Sequence, residues 1–157
     1  MCGIVGVISS KQADLKQIKV ATNLLDKRGP DCQATVAFEN IALGHARLSI
    51  IDTSESANQP FFDITKRYVI IFNGEIYNYK ELRTELEQLG VEFKTQSDTE
   101  VLLYLYIKHG KDCLEMLNGF FAFAVYDKEK KSLFVARDRF GIKPLLYYFD
   151  GEKFIFS

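Results

Sequence analysis

Two rhythms of apolar and polar positions run along the chain. Ile4-Val5-Gly6-Val7-Ile8 is a short continuous apolar run, the pattern of a buried strand. Between Leu15 and Leu25 the period changes: Leu15, Ile18, Ala21, Thr22 and Leu25 recur at helical spacing, and Arg28-Gly29-Pro30-Asp31 stops the helix. Strands are predicted over 34–38, 41–50 and 68–72, the last running into Asn73-Gly74. A helix over 79–89 ends at Gly90, followed by a short strand over 91–94. Ser97-Asp98-Thr99-Glu100 opens a helix reaching His109. Strands over 120–126 and 132–137 flank a charged turn, and a second hairpin over 145–149 and 153–156 turns at Asp150-Gly151. Strands outnumber helices and several are joined by short turns, which predicts a layered α+β domain with largely antiparallel sheets.

Composition supports this picture and excludes several classes. The 157 residues suit one domain, and 47% apolar content argues against disorder. Thirteen Phe and eight Tyr without Trp suit a sheet-rich core. A net charge of −1 gives no electrostatic reason to expect nucleic acid or an anionic membrane as partner. No apolar run approaches the roughly 20 residues of a membrane helix, and the N-terminus lacks the signal-peptide pattern. Cys2, Cys32 and Cys113 are too few and too scattered for a disulfide framework, and no Cys/His cluster suggests a metal. A reducing, cytoplasmic setting is expected. Only Ser157 follows the last strand, so the chain reads as one domain of a longer protein.

Cys2 is the sharpest chemical signal. A small residue after Met1 permits removal of the initiator methionine, leaving a cysteine with both a thiol and a free α-amine. An α-amine has a reference pKa of about 7.7–8.0, so it can take the thiol proton and later return it. The alternative is an incidental cysteine, since free Cys is usually a small buried hydrophobe. Asn73-Gly74 offers a side-chain amide and an unobstructed backbone N–H, the donors a tetrahedral oxyanion needs; Asn-Gly is also the strongest common turn dipeptide, and alone it reads first as a turn. Arg47, within an apolar strand, suits a carboxylate ligand or an internal ion pair equally. Ser97 and Glu100 match a capping box, which leaves Asp98 free to meet a substrate ammonium. His45, His109, Cys32 and Cys113 read as structural or surface residues. Arg137-Asp138-Arg139 reads first as an ion-pair network.

In this order, these segments resemble the class II glutamine amidotransferases, and most closely the N-terminal glutaminase domain of glutamine-dependent asparagine synthetases. The matching stretches are Met-Cys-Gly-Ile-Val-Gly at 1–6, Arg-Gly-Pro-Asp at 28–31, Gly-His-Ala-Arg-Leu-Ser-Ile-Ile-Asp at 44–52 and Gln-Pro at 59–60. They continue with Phe-Asn-Gly-Glu-Ile-Tyr-Asn at 72–78, Ser-Asp-Thr-Glu at 97–100, Leu-Asn-Gly-Phe-Phe-Ala-Phe at 117–123 and Ala-Arg-Asp-Arg-Phe-Gly-Ile-Lys-Pro-Leu at 136–145. The resemblance implies the N-terminal nucleophile hydrolase fold, a four-layer αββα sandwich of two antiparallel sheets. It implies that Cys2 attacks the side-chain amide of L-glutamine, with Asn73 and Gly74 as the oxyanion hole. Arg47 would hold the α-carboxylate, Asp98 and Glu75 would lie near the α-amine, and the backbone of Leu48, Ser49, Ile50 and Ile51 would line the pocket. A glutamyl thioester would form with release of ammonia, and water would give glutamate.

Arg28-Gly29-Pro30-Asp31 resembles the asparagine synthetases and the amidophosphoribosyltransferases rather than the sugar-phosphate amidotransferases, and the 136–145 stretch points further toward the synthetase branch. That branch also includes relatives from polysaccharide gene clusters, whose acceptors need not be aspartate. The Ser-Gly-Gly-x-Asp-Ser loop of its ATP-pyrophosphatase half is absent from these residues. No cofactor is therefore expected here; ATP and Mg belong to a synthetase domain, in the same chain or a separate one, that would receive the ammonia. The oligomeric state stays open, a homo-oligomer included. A non-catalytic glutamine-binding module and a purely structural docking domain are the competing readings. Neither needs Cys2, Arg47, Asn73, Gly74 and Asp98 together.

Overall fold

In the computed structural model, which describes residues 1–10, 13 and 15–157, the chain folds into two stacked antiparallel sheets. The strands are β1 Gly3–Ser9, β2 Cys32–Ala37, β3 Ile41–Arg47, β4 Phe61–Phe62, β5 Tyr68–Ile76, β6 Gly119–Asp127, β7 Ser132–Arg137, β8 Tyr147–Phe149 and β9 Lys153–Phe156. The helices are α1 Leu15–Asn23, α2 Tyr79–Gln88 and α3 Asp98–His109, with short 3-10 segments at Glu55–Ala57 and Gly110–Met116. One sheet has the order β2-β3-β1-β9-β8 and the other β4-β5-β6-β7.

Strand alternation creates the layers. On β5, Val69 and Ile71, with Ala122, Ala124 and Tyr126 of the neighbouring β6, face the other sheet, where they meet Ile41 and Leu43 of β3. Ile70 and Phe72 face the opposite way, into a cluster with Leu82 and Leu86 of α2 and Leu102, Leu103 and Leu105 of α3. On the far side of the first sheet, Ile18 of α1 packs on Val5 and Ala42. The order is helix, sheet, sheet, helices: the expected αββα sandwich. Burial of each large aliphatic side chain contributes roughly 1.5–3 kcal/mol, so no single contact dominates the core.

Four sequence expectations require correction. Asn73-Gly74 is not a turn. β5 continues to Ile76, with Asn73 opposite Ala122 and Gly74 opposite Phe121. The strand predicted to reach Ile50 ends at Arg47, because its neighbours run out there: Gly3 of β1 opposes Ala46, and Cys32 of β2 opposes Arg47. Residues 91–94 form no strand. The Lys94 and Thr95 N–H groups donate to the Glu100 carboxylate instead of a neighbouring strand. That also opens the capping box. Ser97 Oγ accepts from the Glu100 N–H at 3.2 Å as expected, but the Ser97 N–H donates to Thr95 Oγ1, Glu100 being engaged elsewhere. The remaining boundaries agree within a few residues, and Gly90 follows α2 with φ +85, the left-handed geometry of a helix stop. The two-residue β4 and both 3-10 segments had no periodic signal to reveal them.

Candidate active site

The two sheets converge on one cavity. On β3, alternation places His45 and Arg47 on the same inward face as Ile41 and Leu43. On β5 it places Asn73 inward after Val69 and Ile71. Polar side chains thus follow apolar ones at one end of the sandwich, where Cys2 leads into β1. The cavity is lined by Cys2, Arg47, Asn73, Gly74, Glu75 and Asp98, among others, and measures about 140 Å³. That is well below the roughly 300–1,000 Å³ of clefts for drug-sized ligands and suits something of amino-acid size.

Cys2 sits half-buried with its sulfur against Leu48. Sγ accepts from the Leu48 N–H at 3.4 Å and lies 3.6 Å from the Leu48 carbonyl. The Arg28 guanidinium donates to the Cys2 carbonyl at 3.0 Å. Asp31 holds the other wall: its N–H donates to the Arg47 carbonyl, and its carboxylate accepts the Ser49 N–H at 2.8 Å. The Arg-Gly-Pro-Asp segment therefore buttresses both the thiol and the strand end beside it, a role its turn-like composition concealed.

Gly74 presents its backbone to the cavity, as strand alternation requires. Opposite residues in an antiparallel pair either exchange both backbone bonds or neither. Phe121, opposite Gly74, uses its N–H and C=O on the far side, both with Asp138. On the near edge the flanking β5 groups are occupied: the Phe72 N–H by Gln59 Oε1 at 2.6 Å, the Phe72 carbonyl by His45 Nε2 at 3.0 Å, and the Ile76 N–H by Asp98 Oδ2 at 3.1 Å. Gly74 lies between them with its N–H directed at the cavity. The buried Asn73 side chain makes no hydrogen bond within the described residues, so its NH₂ is a second donor there. A Cβ at Gly74 would collide with the Phe120 carbonyl and the Phe121 backbone. Gly74→Ala is accordingly expected to displace this edge and reduce turnover of any substrate using it about 100-fold or more; turnover rates with a check of folding by circular dichroism test this.

The cavity lining carries both charges, with Arg47 and Lys143 as cations and Glu75 and Asp98 as acids. Arg47 is buried, and its guanidinium donates to the Ser54 carbonyl at 2.9 Å, to Asn58 Oδ1 at 2.6 Å and to the Asp52 carbonyl. These acceptors are uncharged, so the internal ion pair considered for Arg47 is not what holds it. Its positive charge remains available to the cavity. Asp98 is buried at the first turn of α3. Burial pushes its carboxyl up to about 6, against N–H bonds from Ile76 and Thr99 that pull it down, and nearby Glu75 adds a smaller upward push. A cation between Asp98 and Glu75 would relieve this.

Most residues expected at the site are brought together: Cys2, Arg47, Leu48, Ile50, Ile51, Asn73, Gly74, Glu75 and Asp98 all line the cavity. Ser49 does not, its N–H being held by Asp31. Several other lining residues, Asp52, Gln59 and Lys143 among them, had no individual signal in the sequence. Gln59 was visible only as part of a Gln-Pro pair, and Asp52 only as the end of the 44–52 stretch. Asp52 Oδ2 accepts the Gln96 N–H at 2.8 Å, stapling the Arg47 loop to the segment before α3. His45 is fully buried; burial pushes its imidazole down to about 4, so it stays neutral. Cys113 is buried in the helix-side core, where burial pushes its thiol up to about 11. Asp138 organises a loop rather than an ion-pair network, accepting N–H bonds from Phe140, Ile142 and Lys143.

Known proteins are similar to this chain in sequence and in architecture. The family described as glutamine amidotransferase domain matches residues 1–157. The chain is 43% identical to asparagine synthetase [glutamine-hydrolyzing] 3 of Bacillus subtilis, covering 100% of this chain and 26% of that one. It is 41% identical to asparagine synthetase B [glutamine-hydrolyzing] of Escherichia coli, covering 100% and 29%. Among solved structures, the glutamine phosphoribosylpyrophosphate amidotransferase from B. subtilis matches with a TM-score of 0.82 at 24% identity, over 99% of this chain and 41% of that one, a likeness of fold. The chain thus spans between a quarter and a third of the length of these synthetases. It belongs to the glutamine amidotransferase domain family and has the N-terminal nucleophile hydrolase fold.

Proposed function

We propose that this domain hydrolyses the side-chain amide of L-glutamine to glutamate and ammonia, with Cys2 as nucleophile once Met1 has been removed. The observation that carries the reading is one small cavity lined by a thiol, an Asn-Gly pair able to donate to an oxyanion, and side chains of both charges. Arg47 takes the α-carboxylate, and Asp98 with Glu75 takes the α-ammonium, so the side-chain amide reaches toward Cys2. The α-amine of Cys2 accepts the thiol proton as sulfur bonds to the amide carbon. The Asn73 NH₂ and the Gly74 N–H stabilise the oxyanion. Collapse breaks the C–N bond, ammonia leaves with the returned proton, and water cleaves the thioester to glutamate. Met1 itself lines the cavity beside Cys2, so its removal both frees the amine and enlarges the space.

The ammonia would pass to a synthetase domain in the same or a separate chain, which would hold ATP and Mg for asparagine synthesis or a related amidation; this domain needs no cofactor for its own step. Support comes from the synthetase relatives and from exposed Leu146, Tyr147, Tyr148 and Phe149 along the edge strand β8, apolar surface of the kind that partner proteins cover. A cytoplasmic setting agrees with three unpaired cysteines, and no helix among the described residues is long and apolar enough to cross a membrane. The experiment is ammonia release from glutamine together with calorimetric glutamine binding. Arg47→Ala is expected to weaken binding by roughly 30-fold or more in a chain that still folds. Unfolding of that variant would make Arg47 a structural residue instead.

A further inference from the structure

Two buried side chains outside the proposed chemistry meet on one residue of β5. His45 Nε2 donates to the Phe72 carbonyl at 3.0 Å, and Gln59 Oε1 accepts the Phe72 N–H at 2.6 Å. β4 pairs with β5 only at Ile70 and Val69, so beyond Ile70 this edge has no strand neighbour. Without replacements, Phe72 would leave a buried donor and a buried acceptor unsatisfied at a cost of about 1–3 kcal/mol each. His45 and Gln59 supply both. Gln59 reaches further: its Nε2 donates to Thr99 Oγ1 at 3.2 Å, one residue beyond Asp98. His45 Nδ1 is the buried side-chain atom with no partner among the described residues. The ring therefore keeps its single N–H bond even though a polar atom is left unsatisfied.

We propose that His45 and Gln59 are positioning residues that clamp both backbone groups of Phe72, and thereby hold the Asn73 amide and the Gly74 N–H in line for the oxyanion. The proposal rests on the reading of Asn73 and Gly74 as oxyanion donors. Asn73 follows Phe72 directly, and Gly74 is the next residue whose N–H faces the same edge. A shift of the Phe72 peptide is passed to both. His45 does not line the cavity, and its imidazole is neutral well below neutral pH, so it acts through Phe72 rather than by moving a proton.

The test compares His45→Leu with His45→Gln in the 157-residue chain. His45→Leu removes the donor, whereas His45→Gln keeps an N–H at nearly the same reach, with its amide oxygen replacing the partnerless Nδ1 as a buried polar atom. The readouts are kcat and KM for ammonia release, the pH profile of kcat, and the rate of Cys2 alkylation by iodoacetamide, a reaction without an oxyanion. His45→Leu is expected to lower kcat about tenfold or more, with KM within about threefold of the parent and alkylation unchanged. His45→Gln is expected to recover most of kcat with the parental pH profile. If His45→Leu does not fold, Gln59→Leu should show the same split between hydrolysis and alkylation. Unchanged kcat in a folded His45→Leu chain overturns the proposal, as does loss of alkylation and hydrolysis together. A His45→Gln chain that loses a limb of the pH profile would make His45 an acid–base group and overturns it as well. Failure of the parent chain to release ammonia, or alkylation at a different cysteine, would instead remove the glutaminase reading beneath it.

Discussion

Cys2→Ala is expected to lower glutamine hydrolysis by about 10⁴-fold or more while leaving glutamine affinity within about threefold. The loss is large because the sulfur forms the bond that splits the amide, and no second nucleophile lines the cavity at that place. Affinity is expected to survive because the charges proposed to grip the amino acid lie on other lining residues, Arg47, Asp98 and Glu75. Stability should change little. The sulfur's contacts are one N–H bond from Leu48 at 3.4 Å and a long approach to its carbonyl, and the residue is only half-buried. Alanine at position 2 is also small enough to permit methionine removal, so the comparison is made between chains processed alike. A docking module or a glutamine-binding module would show no hydrolysis to lose. Ammonia release by the variant at the parental rate would remove Cys2 from the chemistry.

The second large effect separates function from stability at Asp98. Its carboxyl is raised from 3.8 to about 6, chiefly by burial. A raised acid favours the protonated form in the folded chain. Its contribution to stability is thus fully present below about pH 4 and is lost as pH rises through about 6. At pH 7 the ligand-free chain carries the ionised group at a cost of roughly 3 kcal/mol, from about two pH units at 1.36 kcal/mol each. Asp98→Asn removes that cost and keeps an oxygen for the Ile76 N–H. Against this stands the loss of a favourable charge at the α3 N-terminus, about 0.3–1 kcal/mol. The variant is therefore expected to match or exceed the parent in thermal stability at pH 7 and to lose that advantage near pH 4. Glutamine binding should fall by roughly 30-fold or more, because a buried ammonium would face a neutral amide. In the parent, glutamine affinity should weaken as pH falls through about 6, approaching tenfold per pH unit once Asp98 is mostly protonated. Affinity independent of pH in this range would mean that Asp98 does not meet the ammonium.

The parts of this arrangement legible in the sequence were those decided locally. Helical spacing at Ile18 and Thr22 marks the face of α1 that packs on the first sheet, and Ser97 caps α3 as its position suggests. Cys2 stood out in the sequence by its place after Met1, while its position at the cavity beside Asn73, Gly74, Arg47 and Asp98 depends on contacts remote in sequence. Asn73-Gly74 shows the opposite. Its local preference is for a turn, yet it lies mid-strand, because residues remote in sequence settle the matter: Phe121 and Asp138 on one side, Gln59 and His45 on the other. None of these bonds leaves a periodic trace. Arg47 is intermediate. An arginine in an apolar strand announces that it needs partners, but only the return of the loop at 52–58 reveals that they are carbonyl and amide oxygens rather than a carboxylate. The segment over 91–94 has the apolar alternation of a strand, and Glu100 takes the N–H groups a strand would have used.

The proposed chemistry needs one sulfur atom and one amine. Intact-mass measurement of the chain, before and after treatment with a glutamine-like electrophile, tests it most directly. The expected result is a chain lacking Met1 that gains a single adduct, mapped to Cys2 and suppressed by excess glutamine. An adduct on Cys32 or Cys113, or hydrolysis by a chain that still carries Met1, would contradict it.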